Sequence, residues 1–125
     1  MSARLWAVGK HNLITIQTNS TWEQKIKITG EGLDKTITGS GERKILWETW
    51  EGPGSFLIEA WFRRPTSSDW VPSKLIHGRY EHGIYFVGAN DDGPDRDYND
   101  ALVSSYAVTK AALESTGEFL DSLGD

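Results

Sequence analysis

Turn signals rich in glycine and proline divide most of this chain into short segments. What lies between them alternates apolar and polar side chains, the period-two signature of a half-buried strand. The clearest case is Ser55–Arg63 (SFLIEAWFR), where Phe56, Ile58, Ala60 and Phe62 share one face and Leu57, Glu59 and Trp61 the other. Leu13–Gln17 and Ile26–Thr29 follow the same pattern, and Lys35–Thr38 and Lys44–Glu48 are shorter versions. Ile84–Val87 is a continuous apolar run, suited to a central strand covered on both sides. Turns are expected at Gly30-Glu31-Gly32, Gly39-Ser40-Gly41, Gly52-Pro53-Gly54 and Pro65-Thr66-Ser67-Ser68, and Pro72 confines its segment to an edge or a bulge. Strands at this spacing predict an all-β fold, a two-sheet antiparallel β-sandwich of Greek-key or jelly-roll type.

Only the C-terminus departs from this pattern. Lys110–Leu123 (KAALESTGEFLDSL) is rich in helix formers, Leu113, Thr116, Leu120 and Leu123 form a rough stripe, and Thr109 can cap the start. The reading is therefore a single domain: a β-sandwich over 1–108 and a short helical extension over 109–125. At 125 residues the chain is long enough to close a hydrophobic core. Six Trp, four Tyr and four Phe supply large buried areas, and most of the Trp are expected in that core.

Charge narrows the function classes. The net charge of -5 argues against nucleic-acid binding, which needs a basic face to neutralise phosphates. There is no cysteine, hence no disulfide, thiolate metal site or cysteine nucleophile. No stretch approaches the length of a membrane span, and the opening MSARLWAVGKHN lacks the apolar core of a secretory signal. Synthesis in the cytoplasm is expected, and any export would be leaderless.

Against this background the segment NDDGPDRDYNDA, from Asn90 to Ala101, stands out, because five aspartates repel one another within twelve residues. Asp91, Asp95, Asp97, Asn99 and Asp100 can all present oxygen atoms from one loop turned by Gly93-Pro94. Calcium takes six to eight such hard ligands at about 2.3–2.6 Å and tolerates irregular geometry, whereas magnesium demands a tighter octahedron. A calcium ion turns repulsion into shared attraction. The loop is not an EF-hand: its sixth position is Asp100 rather than glycine, and its twelfth is Tyr106 rather than glutamate. A merely solvated acidic turn has no need of Asn99 and Asp100 leading straight into the apolar Ala101-Leu102-Val103.

The stretch Asp91–Val103 (DDGPDRDYNDALV) resembles the calcium loop of the bacterial fucose- and mannose-binding lectins of the PA-IIL type, which has the form acid-D-G-x-D-x-D-Y-N-D-A-hydrophobic. Independently, Asn19-Ser20-Thr21-Trp22, placed at the end of one strand and the start of the next, is similar to the family's Asn-Ser-Ser-Gly. The resemblance implies that Asp91, Asp95, Asp97 and Asp100 coordinate one calcium. Asn19, Asp97, Asn99 and Asp100 would coordinate a second beside it. Asp92 would accept a hydrogen bond from a sugar hydroxyl, and Ser20, Thr21 and Trp22 would tune sugar choice. Sugar hydroxyls would complete both calcium shells in place of water. Ser20 matches the residue type of fucose-preferring relatives. Trp22 stands where the family has a small residue, and either stacks on a sugar, partly closes the pocket or packs on the sandwich.

The family's chain ends about ten residues after its loop, with a terminal carboxylate entering a neighbouring subunit's site. This chain runs 25 residues past Asp100, so its tail either reaches a partner's site or leaves that ligand missing. The implied protein is a non-enzymatic lectin for fucose, mannose or a related sugar, working as a homo-oligomer (dimer or tetramer) whose avidity multiplies a weak single site. The other class consistent with these residues is an interaction or assembly module stabilised by calcium without sugar binding.

Other constellations are weaker. His77 and His82, beside Glu81, are five apart and would point to opposite faces of an extended strand. No nucleophile elbow or phosphate loop occurs. Asn19-Ser20-Thr21 also matches an N-glycosylation acceptor, but a glycan there would block the implied calcium ligand.

Overall fold

The computed structural model describes residues 2–30, 32–80, 84–90, 100–109 and 111. Eight strands follow one another along them: β1 (Ser2–Ala7), β2 (His11–Gly30), β3 (Leu33–Glu51), β4 (Gly54–Arg63), β5 (Val71–Pro72), β6 (Lys74–Tyr80), β7 (Ile84–Asn90) and β8 (Ala101–Val108). Every pairing between them is antiparallel.

The organising element is β2, twenty residues long, with β3 folded back along its whole length. Its first part runs beside β8, from His11↔Val108 to Thr18↔Ala101. Its second part leaves β8 and runs beside β4, from Glu23↔Arg63 to Thr29↔Leu57. One strand thus belongs to two faces of the fold. The result is a single ladder, β1-β4-β2-β8-β7-β6, with β3 on β2 and β5 on β4. Because β2 bends, the ladder curls until β1 packs against β6, β7 and β8, and the sheet is nearly closed into a barrel. The all-β antiparallel expectation holds. The expected division into two separate sheets does not appear, since hydrogen bonding continues through β2 from one layer into the other.

Inside the curl lies one core. Leu5 and Ala7 of β1, Ile14, Ile16, Ile26 and Ile28 of β2, and Phe56, Ile58 and Ala60 of β4 meet Val87 and Ala89 of β7 and Ala101 and Val103 of β8. The alternation read from Ser55–Arg63 is the observed burial: Phe56, Ile58, Ala60 and Phe62 point inward. Each fully buried aliphatic or phenyl side chain contributes about 1.5–3 kcal/mol. The polar Asn12 is also fully buried and closes the β1–β2 turn: its Oδ1 accepts from Gly9 N at 3.0 Å, and its Nδ2 donates to Gly9 O at 2.8 Å.

Three local expectations need correction. The six Trp are not core residues: none is buried, Trp6 is 49% exposed, and Trp50 only lies edge-on against Phe56 from the margin. The interior is narrow, and aliphatic side chains with Phe56 fill it. Gly39-Ser40-Gly41 is not a turn between strands but lies within β3. Asn19–Trp22, likewise, does not separate two strands; it interrupts the register of one. Ile84–Val87 does form a central strand between β6 and β8, although of its four residues only Val87 is buried. Apart from Thr109 and Ala111, the expected helical extension lies outside the described residues, as do Glu81 and His82.

Candidate functional site

The irregular part of β2 is where the sequence placed its first motif. Ser20 pairs with Gly41 and Gln24 with Gly39, so Thr21, Trp22 and Glu23 stand opposite the single residue Ser40. Strand β3 carries its own extra residue, Arg43, between the pairs Thr18↔Lys44 and Asn19↔Glu42. Such bulges bend a strand and re-aim its side chains. The bend needs Gly41, whose φ of +102° is a conformation that L side chains rarely adopt. The hydroxyl of Thr18 fixes it by donating to Gly41 O at 3.0 Å.

Within the bulge the side chains hold the backbone in place of the lost ladder. Ser20 Oγ accepts from Trp22 N at 3.1 Å, a local turn of the kind serine favours, and Gln24 Nε2 donates to Trp22 O at 3.4 Å. The indole of Trp22 stacks on Phe62 at 5.9 Å with 29° between the rings. The Arg64 guanidinium lies 5.7 Å from the Trp22 ring and 5.2 Å from that of Phe62. Glu23 forms an ion pair with Arg63, whose guanidinium sits 4.5 Å over Trp70. Thr21, Trp22, Glu23, Arg63 and Arg64, together with the turn Pro65–Ser68, line an open depression of about 500 Å3.

From the far end of the chain one described residue of the second motif, Asp100, reaches the same place. Strand β7 ends at Asn90 and β8 begins at Ala101, and Asp100 is the first described residue after the loop. Its backbone is clamped on both sides: Asn19 N donates to Asp100 O at 2.9 Å, and Asp100 N donates to Ala89 O at 3.1 Å. Asp100 is only 5% exposed, although it carries a carboxylate. Beside it, Asn19 is half-buried, and its Oδ1 accepts from Gln17 Nε2 at 3.2 Å. At the other root of the loop, Asn90 is buried and its Oδ1 has no hydrogen-bond partner among the described residues.

Of the residues singled out from the sequence, the fold therefore brings together Asn19, Ser20, Thr21, Trp22 and Asp100. Asp91, Asp92, Asp95, Asp97 and Asn99 lie outside the described residues. Among the described residues no three His, Cys, Asp or Glu side chains cluster. The described donors are one buried carboxylate and two amide oxygens, all hard ligands of the kind calcium takes. A buried amide oxygen without a donor costs about 1–3 kcal/mol, which a cation or a water would offset. Sequence reading missed Arg63–Ser68. Its composition signals a turn, and only the pairing Glu23↔Arg63 carries that turn to the bulge.

A profile of the fucose-binding lectin II (PA-IIL) family matches residues 7–105, a span that includes both the bulge and the acidic loop. Among solved structures, the chain is similar to a high-affinity mannose-binding lectin from Ralstonia solanacearum, at 26% identity and a TM-score of 0.58, covering 85% of this chain and 96% of that one. It is similar in fold to the Chromobacterium violaceum lectin CV2L solved with α-methyl-fucoside, at 17% identity and a TM-score of 0.58, covering 83% and 96%. The fold is shared too with the C-terminal domain of the BC2L-C lectin from Burkholderia cenocepacia, at 20% identity and a TM-score of 0.55, covering 87% and 100%. No curated protein sequence matches the chain significantly.

Proposed function

Because the chain belongs to the fucose-binding lectin II (PA-IIL) family, we propose that it is a calcium-dependent lectin that binds fucose, mannose or a related monosaccharide. The family is one of carbohydrate-binding proteins, not enzymes. The observation that carries the reading is the backbone hydrogen bond from Asn19 to Asp100, which joins the two motifs that the sequence keeps 81 positions apart. Asn19, Asp91, Asp95, Asp97, Asn99 and Asp100 are the residues that would hold two calcium ions. Bound calcium supplies direct coordination of sugar hydroxyls, an anchor stronger than hydrogen bonds that water contests.

The chain's own residues prepare that anchor. The clamped backbone holds Asp100 next to Asn19, and the Gln17 amide donates to the Asn19 side-chain oxygen. Ser20, Thr21 and Trp22 rim the position where a coordinated sugar would stand, and Asp92 is the acceptor for one of its hydroxyls. A single site of this kind is shallow. Function through a homo-oligomer, a dimer or tetramer, follows from the gain of avidity. The exposed Trp6, Val8, Leu46 and Ile76 offer apolar surface for such assembly.

A glycan array run with calcium and with excess chelator tests the reading. Fucosylated and mannosylated glycans are expected to bind only with calcium. Binding that persists in chelator would overturn the mechanism. A calcium-dependent rise in melting temperature with no glycan bound would favour a structural metal instead.

A further inference from the structure

Resting on the reading above, we propose that the depression between the β2 bulge and the turn after β4 is a second saccharide subsite. It would take the sugar linked to the one anchored at calcium. Continuity is the first argument. Thr21 and Trp22 follow Ser20 directly and also line the depression, and two residues of extended chain span at most about 7 Å. A glycan leaving the anchored sugar over Ser20 therefore meets this groove next.

Chemistry is the second argument. A sugar hydroxyl both donates and accepts, so it is best read by a donor and an acceptor held side by side. The ion pair of Arg63 with Glu23 is such a couple, and its charges cancel locally, which suits a neutral ligand. Hydroxyls of Thr21, Thr66 and Ser68 line the same depression. The Trp22 indole, braced by Phe62, adds an aromatic wall for the C–H face of a sugar ring.

Rigidity is the third. The turn is tied by Ser67 N donating to Arg64 O at 3.1 Å and by Asp69 N donating to Ser67 Oγ at 3.1 Å. Arg63 is held from two directions, by Glu23 and by the Trp70 ring. A preformed wall lowers the ordering cost of binding. At about 500 Å3 the depression lies within the range of small-ligand sites and has room for a pyranose with bridging waters.

The test is titration calorimetry in saturating calcium. Methyl α-fucoside and methyl α-mannoside are compared with di- and trisaccharides ending in the same sugar. The oligosaccharides are expected to bind about tenfold tighter, the effect of one or two well-made extra contacts. Ser68→Trp, on the exposed turn, fills the groove. It is expected to remove that gain while leaving the monosaccharide affinity within about twofold. Arg64→Ala, which opens the wall beside Trp22, is expected to remove part of the gain. Oligosaccharides that bind the wild type no tighter than monosaccharides would overturn the subsite and leave the lectin reading standing. So would Ser68→Trp weakening both ligands equally. Absence of any monosaccharide binding in calcium would overturn both.

Discussion

Strand β2 contains two kinds of backbone. In residues 11–18 and 24–30 it keeps an ordinary period: Asn12, Ile14, Ile16 and Thr18, with Leu13 on the other face, are buried in the first arm, and Gln24, Ile26 and Ile28 in the second. In residues 19–23 between them none is buried, and the register against β3 breaks twice. The arms obtain their conformation from neighbours on both sides and from the core beneath. The bulge obtains it from local hydrogen bonds made by Thr18, Ser20 and Gln24, and from one glycine. Stability and the proposed ligand chemistry would thus sit on one strand yet depend on different contacts. That separation is testable, because a substitution in one part should leave the other's property intact.

The largest effect is expected in an arm. Ile26→Ala empties a fully buried position in the core shared by β2 and β4. It should lower unfolding free energy by about 2–5 kcal/mol in a denaturant titration. The protein that remains folded should bind calcium and sugar with unchanged affinity. An affinity loss in that folded fraction would break the proposed separation.

The next effect belongs to the bulge's partner. Asp100→Asn keeps the backbone bonds to Asn19 and Ala89 and removes one buried charge. Calcium at 100 times its dissociation constant should raise the stability of the wild type by about 2.7 kcal/mol. In the variant that increment should vanish, while stability without calcium stays within about 1 kcal/mol of wild type. Thermal melts with and without calcium measure both. An undiminished calcium increment would remove Asp100 from the ligand set.

How far the sequence alone reaches follows the same division. The inward face of Phe56, Ile58, Ala60 and Phe62 was legible, because alternation reports burial wherever a strand is regular. Periodicity did not reveal that β2 runs unbroken through Asn19–Trp22, or that Gly39–Gly41 lies inside β3. A bulge breaks the alternation that signals a strand, and glycine marks a turn and a bulge alike. Strands β1 and β6 escaped notice: they are short, and their strand character depends on pairing with β4 and β7. The nearness of Asn19 to Asp100 came from resemblance, since no local pattern encodes a contact between β2 and the start of β8. The Trp expectation failed for a physical reason: a tightly curled sheet leaves too little depth for indoles.

Gly41 sharpens the comparison at lower amplitude. Its added Cβ would meet no atom within 4 Å among the described residues, so Gly41→Ala tests backbone conformation. At φ +102° the cost should be about 1–3 kcal/mol. If the bulge is held as described, part of that cost should reappear as weaker calcium binding, because Ser20 pairs with Gly41 and Thr18 bonds to it. Unfolding titrations with and without calcium separate the two contributions. A cost independent of calcium would mean that the bulge tolerates local strain without moving Asn19.

The smallest expected effect is also the most specific. Gln17 lies on the outward side of the first arm, and its amide donates to Asn19 Oδ1. If that oxygen faces calcium, the bond fixes its direction without touching the ion. Gln17→Ala should then lower the melting temperature without calcium by only a few degrees, since a partly exposed hydrogen bond contributes about 0.5–1.5 kcal/mol. Calcium affinity should fall by up to about tenfold, as expected when a partner that orients a metal ligand is removed. Gln17→Glu would break the donation while keeping the shape. It should also bring a carboxylate near the ion, so its calcium affinity should recover above that of Gln17→Ala. Equal losses in both variants would assign Gln17 a packing role in the arm and leave the bulge to orient Asn19 unaided.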